Sequence, residues 1–129
     1  MEMPKPSEEM RALFHTFLPS AGPWAEEKKM FGQLAGFVNG NMFCALYGDV
    51  VNVRLSPGDL DAALRAGAVP FEPMGRAFKG YVVLPPDVVA APEALTDWLA
   101  RAYRYTAEDV PPKRPKEPRP RAPKAAKAR

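Results

Sequence analysis

Cys44 and His15 are the two residues best suited to covalent or metal chemistry, and the sequence holds one of each. A cysteine nucleophile needs a base and an electropositive setting to lower its pKa. No spacing links His15 to Cys44. The thiol falls instead in the apolar run from Met42 to Tyr47, which predicts a buried strand cysteine, and His15 reads as a surface or half-buried helix residue. One Cys and one His cannot supply the four nitrogen or sulfur ligands of a structural zinc site. A single Cys also excludes an intrachain disulfide. The expectation is a chain with no metal, no cofactor and no catalytic residue.

The carboxylates point the same way. Acid–base catalysis needs two carboxyls facing one cleft in different environments. Glu8-Glu9 and Glu26-Glu27 are adjacent pairs, and neighbours on a helix point in different directions. Asp59 and Asp61 stand at a predicted helix start, where they complement the helix dipole. Gly32, Gly36 and Gly40 form neither a dinucleotide fingerprint nor a phosphate loop.

One feature carries a direct binding mechanism. Residues 111–129 hold Lys113, Arg114, Lys116, Arg119, Arg121, Lys124, Lys127 and Arg129 against Glu117 alone, a net +7. The other 110 residues carry 10 basic and 14 acidic groups, a net −4, so the overall +3 hides an acidic body. Lys and Arg gain affinity for nucleic acid by releasing the counterions condensed on phosphates, which makes weak, nonspecific nucleic-acid contact the candidate role of this segment. The bland alternative is a segment that only keeps the chain in solution. It lacks aromatic residues to stack on bases. A body at −4 argues against a plain DNA-binding domain.

The same segment contains six prolines in 19 residues. Proline fixes φ and lacks a donor, so neither helix nor sheet can run through it. The expected organisation is a folded domain over 1–110 and a disordered basic tail over 111–129 with polyproline-II bias. No apolar run reaches the ~18 residues of a membrane span. The first 18 residues carry Glu2, Glu8 and Glu9 with no apolar core typical of a secretory signal. A cytoplasmic location is expected.

Several elements must position whatever the body does. Ser7 can cap a helix running to about Pro19, with Met10, Leu13, Phe14, Phe17 and Leu18 on one stripe. Residues 30–38 and 41–48 flank Asn39-Gly40, a strong hairpin signal. Val50 to Leu55 alternates as a third strand. Ser56-Pro57 opens a short helix bearing Leu60, Ala63 and Leu64, and Gly67 suits its C-terminal cap. Two strands, Ala68–Glu72 and Phe78–Leu84, follow. The last helix starts at Pro92, with a stripe of Leu95, Trp98, Leu99, Ala102 and Tyr103. The predicted class is α+β, two-layer, α-β(3)-α-β(2)-α, with an antiparallel sheet and the helices on one face. If Cys44 and Leu46 point to the helices, alternation leaves Phe43 and Tyr47 on the open face as a partner or dimer surface.

Lys29-Met30-Phe31-Gly32 and the run Phe37-Val38-Asn39-Gly40-Asn41-Met42-Phe43 resemble the opening signature of the TfoX/Sxy N-terminal domain family. The likeness continues at Ala68 to Phe71, Gly75-Arg76 and Tyr81 to Pro85. It ends with Pro92-Glu93-Ala94-Leu95 and Trp98 to Ala102. Gln33 stands where the usual motif has a second glycine. The resemblance implies a fold like that of secretion-chaperone domains. It also implies regulation of DNA-uptake competence, since the founding members act as coactivators with the cyclic-AMP receptor protein. Those proteins carry a second, C-terminal domain, where this chain continues in its Pro/Lys/Arg segment. The family brings no catalytic residues. Met30, Phe31 and Gly32 read either as core packing or as a partner groove. The expectation is a non-enzymatic regulatory module that binds a protein or itself. The alternative is a small-molecule-binding or enzymatic domain using the open face around Tyr47, Arg54 and Tyr81.

Overall fold

The structure, a computed structural model, describes residues 5–30, 33–72, 75, 76 and 78–112. Ser7 caps the first helix, its Oγ accepting the Met10 N–H at 3.1 Å. That helix, α1, spans Glu8–Phe17 and runs into a 3-10 turn, Leu18–Ala21. Four strands follow: β1 (Glu26–Met30), β2 (Gln33–Val38), β3 (Asn41–Tyr47) and β4 (Val50–Arg54). Next come α2 (Pro57–Arg65), β5 (Val69–Pro70), β6 (Tyr81–Val83), a single helical turn α3 (Pro86–Val89), and α4 (Pro92–Asp109). The strands form one open antiparallel sheet in the order β1-β2-β3-β4-β6-β5.

The class is therefore α+β, with six strands and four helices among the described residues where five and three were expected. The extra strand, β1, was hidden because Glu26, Glu27, Lys28 and Lys29 show no apolar alternation. All four are exposed on a sheet edge, where charge discourages pairing with another chain. The first hairpin strand accordingly begins at Gln33 rather than at residue 30. The extra helix starts at Pro86, which sequence reasoning takes as a stop. Proline is equally at home in a first helical turn, where its missing N–H costs nothing.

Between β2 and β3, Asn39 and Gly40 adopt φ of 55° and 80°, the left-handed pair that an Asn-Gly hairpin turn requires. The turn also ties down the end of α4. Asn39 Nδ2 donates to the Ala107 carbonyl at 3.3 Å, and Asn41 Nδ2 donates to the Pro111 carbonyl at 2.9 Å.

Alternation sends Leu34, Leu46, Val51, Val53 and Val82 to one face. There they form one core with Phe14 of α1, Ala63 of α2, and Leu95, Leu99 and Ala102 of α4. Helices α1, α2 and α4 thus cover a single face. Trp98 lies at the rim of this core, half-buried, with the Arg101 guanidinium 4.8 Å above its ring. Arg101 also binds Asp59 at 2.9 Å and Asp97 at 3.0 Å, linking α4 to α2. Among the described residues no helix is long and apolar enough to cross a membrane.

One strand breaks the alternation. Gly36 pairs with Cys44, but Phe37 pairs with Met42, so Phe43 has no partner residue. This is a β-bulge, which lets two successive side chains turn to the same face. Phe43 and Cys44 both face the helices, and Phe43 meets the Tyr103 ring edge-on at 5.5 Å and 89°.

Candidate functional site

The two residues with the most reactive chemistry are kept apart. Cys44 is fully buried and free. Burial pushes its thiol well above the usual range, against a smaller opposing effect from a backbone hydrogen bond with Gly36. His15 is exposed on α1, with Nδ1 3.0 Å from Glu27 Oε1. Among the described residues no group of three or more His, Cys, Asp or Glu could hold a metal.

The raised thiol has two measurable consequences. Its protonated form is favoured by folding, so its contribution to stability is full below the ordinary thiol pKa near ~8.5 and is lost as pH rises beyond it. In folded protein at neutral pH, alkylation is expected to be no faster than opening of the core. Fast alkylation would reveal an exposed thiolate and overturn the burial. Cys44→Ser is expected to cost about 1–3 kcal/mol in a denaturant melt, because a hydroxyl there is buried in an apolar site.

The face turned away from the helices carries a different constellation. Alternation places Tyr47 of β3, Asn52 and Arg54 of β4, and Tyr81 and Val83 of β6 on it. Between β5 and β6, Phe71 and Phe78 lie against this face. Phe71 N donates to the Tyr81 carbonyl at 3.2 Å, and Phe78 N to the Phe71 carbonyl at 2.9 Å. Four rings then touch in series. Tyr47 meets Phe71 at 5.5 Å, Phe71 meets Phe78 at 5.4 Å, and Phe78 meets Tyr81 at 5.8 Å, all edge-on.

The Tyr81 hydroxyl crosses β4 to donate to the Met42 carbonyl at 3.0 Å. The Arg54 guanidinium lies 5.9 Å from the Tyr81 ring centre. Burial raises the Tyr81 pKa, and Arg54 works against that rise. Strands β4 and β6 separate β3 from β5, so the Tyr47–Phe71 contact passes over them. Beneath it lies Asn52, in register with Ala45 and Val83 and 1% exposed. Neither amide atom of Asn52 has a hydrogen-bond partner among the described residues.

The structure thus brings together Tyr47, Arg54 and Tyr81, as alternation implies. It removes Phe43 from that face, because the bulge turns its ring into the core. Phe71, Phe78 and Asn52 were not anticipated. Ring contacts place the two phenylalanines against the sheet, and nothing local in the sequence signals them. Met30 closes β1, but its side chain and residues Phe31 and Gly32 lie outside the described residues. So do Lys113, Arg114, Lys116, Arg119, Arg121, Lys124, Lys127 and Arg129.

The family model for the TfoX N-terminal domain matches residues 17–106. The chain belongs to the TfoX N-terminal domain family. A comparison with curated proteins finds no match. Within the TfoX N-terminal domain, Gln33 has a structural role of its own, since its Oε1 accepts the Gly48 N–H at 3.1 Å. A second surface of this TfoX domain runs beside α1. There Met10, Leu13 and Phe17 line an apolar groove of about 430 Å³ with Val50, Val89 and Asp49.

Proposed function

We propose that this TfoX N-terminal domain is a non-enzymatic regulatory module of the competence or transcription-regulator type. It acts by binding a protein partner or a second copy of itself. The observation that supports this reading is the separation of its reactive groups: Cys44 is sealed in the core while His15 faces solvent on α1. Covalent or acid–base catalysis needs such groups held in mutual geometry.

In the same reading, residues 111–129 add nonspecific nucleic-acid contact through their eight cations. Deleting them is expected to remove most of the affinity for duplex DNA, and a matching circular dichroism spectrum checks that the body still folds. Fluorescence anisotropy across a salt series measures the effect. The log–log slope of the full chain is bounded by ~0.9 per phosphate neutralised. Unchanged duplex affinity after the deletion would refute this role.

A small-molecule site on the helix-free face is the second reading. The unpartnered Asn52 amide beneath Tyr47 and Phe71 is the observation in its favour.

A further inference from the structure

We propose that the helix-free face of the sheet binds the unpaired bases of single-stranded nucleic acid, with bases stacking on Phe78 and Tyr47 and Arg54, Arg76 and Lys79 neutralising phosphates. The surface rests on the reading of the chain as a binding module. It goes further by assigning bases to the body, where that reading assigns only phosphates to the segment after residue 110.

The rings provide the first argument. Phe78 is 45% exposed, yet its orientation is fixed by edge contacts with Phe71 and Tyr81. An apolar ring held open to water in one orientation is a ready stacking platform, since little freedom is lost on binding. Every base has a π-face, so such a platform accepts single strands of any sequence. Duplex bases already stack on one another and cannot use it.

Charge gives the second. The body is acidic overall, but it keeps cations free to meet phosphates beside these rings. On the helix layer Arg65 pairs with Asp61, and Arg101 with Asp59 and Asp97, while Arg104 of α4 has no carboxylate partner among the described residues. Arg54 beside Tyr81, and Arg76 and Lys79 flanking Phe78 in the chain, have no carboxylate partner among the described residues. Aromatic faces interleaved with unpaired cations suit a strand of bases and phosphates. An acidic peptide would match the charge but offer little to the rings.

Asn52 adds a third observation. Its orphaned amide presents a donor and an acceptor side by side, the pattern that pairs with a base edge, to any group that parts Tyr47 from Phe71.

The test is anisotropy of the full chain with a short labelled oligothymidylate and with a duplex of equal length. The single strand is expected to bind more tightly. Phe78→Ala is expected to weaken single-strand binding roughly 5- to 150-fold and leave duplex binding unchanged, while Phe78→Tyr keeps the ring and the affinity. The exposed pair Arg76→Gln with Lys79→Gln avoids the core and is expected to lower the single-strand salt slope by ~0.7 per lost phosphate contact. Equal binding of both probes, unmoved by Phe78→Ala, would overturn the surface while sparing the tail's role. Binding of neither probe would sink both. Displacement of the oligothymidylate by poly-glutamate at equal charge would show that charge alone is recognised, and would also overturn it.

Discussion

Phe43→Ala is expected to lower the unfolding free energy by about 3–5 kcal/mol, the range for removing a fully buried aromatic ring. Phe43 is 0% exposed and presents its ring to Tyr103 of α4. Its loss removes apolar burial and leaves a cavity between sheet and helix that surrounding side chains only partly fill. A domain of this size is stable by roughly 5–15 kcal/mol, so the variant would be close to unfolding at physiological temperature. Urea melts of parent and variant, compared at equal slope, make the measurement. A loss under ~0.5 kcal/mol would return Phe43 to the surface that strict alternation gives it and would remove the bulge.

Gly22→Ala is expected to destabilise by about 1–3 kcal/mol, although it introduces nothing but a methyl group. A Cβ at Gly22 would fall inside the van der Waals shell of the Tyr103 ring, nearest Cε1 and Cζ. The ring cannot easily move aside. Its hydroxyl accepts the Trp24 N–H at 3.0 Å, and its ring packs against the core, edge-to-face with Phe43. The backbone at Gly22 is extended, with φ 174°, so the penalty is steric and the fold does not demand glycine's special freedom. Replacing Tyr103 by Leu in the Gly22→Ala background should recover part of the loss. A double-mutant cycle separates that recovery from the cost of losing the tyrosine itself. Equal stability of Gly22→Ala and parent would show that the ring yields freely.

Local chemistry made much of this fold legible. Ser7 and Ser56 announce their helices because a hydroxyl can take an unsatisfied N–H. Asn39-Gly40 announces its turn because those two residues tolerate positive φ. Apart from the turn at Pro86, the misses share a cause that is not local. Strand β1 is defined by its partner β2 and by its place at an edge, so its own residues need no apolar face. The direction of Phe43 depends on the bulge opposite Gly36, where a side chain would press on Leu18 and Cys44. The helix-free face was half legible. Tyr47, Arg54 and Tyr81 follow from strand alternation, while Phe71 is placed by ring contact with Tyr47, distant in the chain, and Phe78 by contact with Phe71 and Tyr81.

The charged edge of the sheet limits how two copies can meet. Antiparallel extension from β1 to a second β1 requires a two-fold axis normal to the sheet, and side chains placed opposite one another must then come from the same face. Pairing Glu26 with Lys29 or Glu27 with Lys28 fails that condition, because each couples residues from opposite faces. Every two-fold register centred on residues 26 to 29 sets one charged residue against its own copy, but centring on Glu27 adds two Glu26–Lys28 pairs and centring on Lys28 adds two Glu27–Lys29 pairs, which offset that repulsion. At the far edge, β5 is two residues long and ends in Pro70, which has no N–H to donate. Strand addition is thus disfavoured at the β5 edge, while at the β1 edge charge admits a second copy only in the registers centred on Glu27 or Lys28.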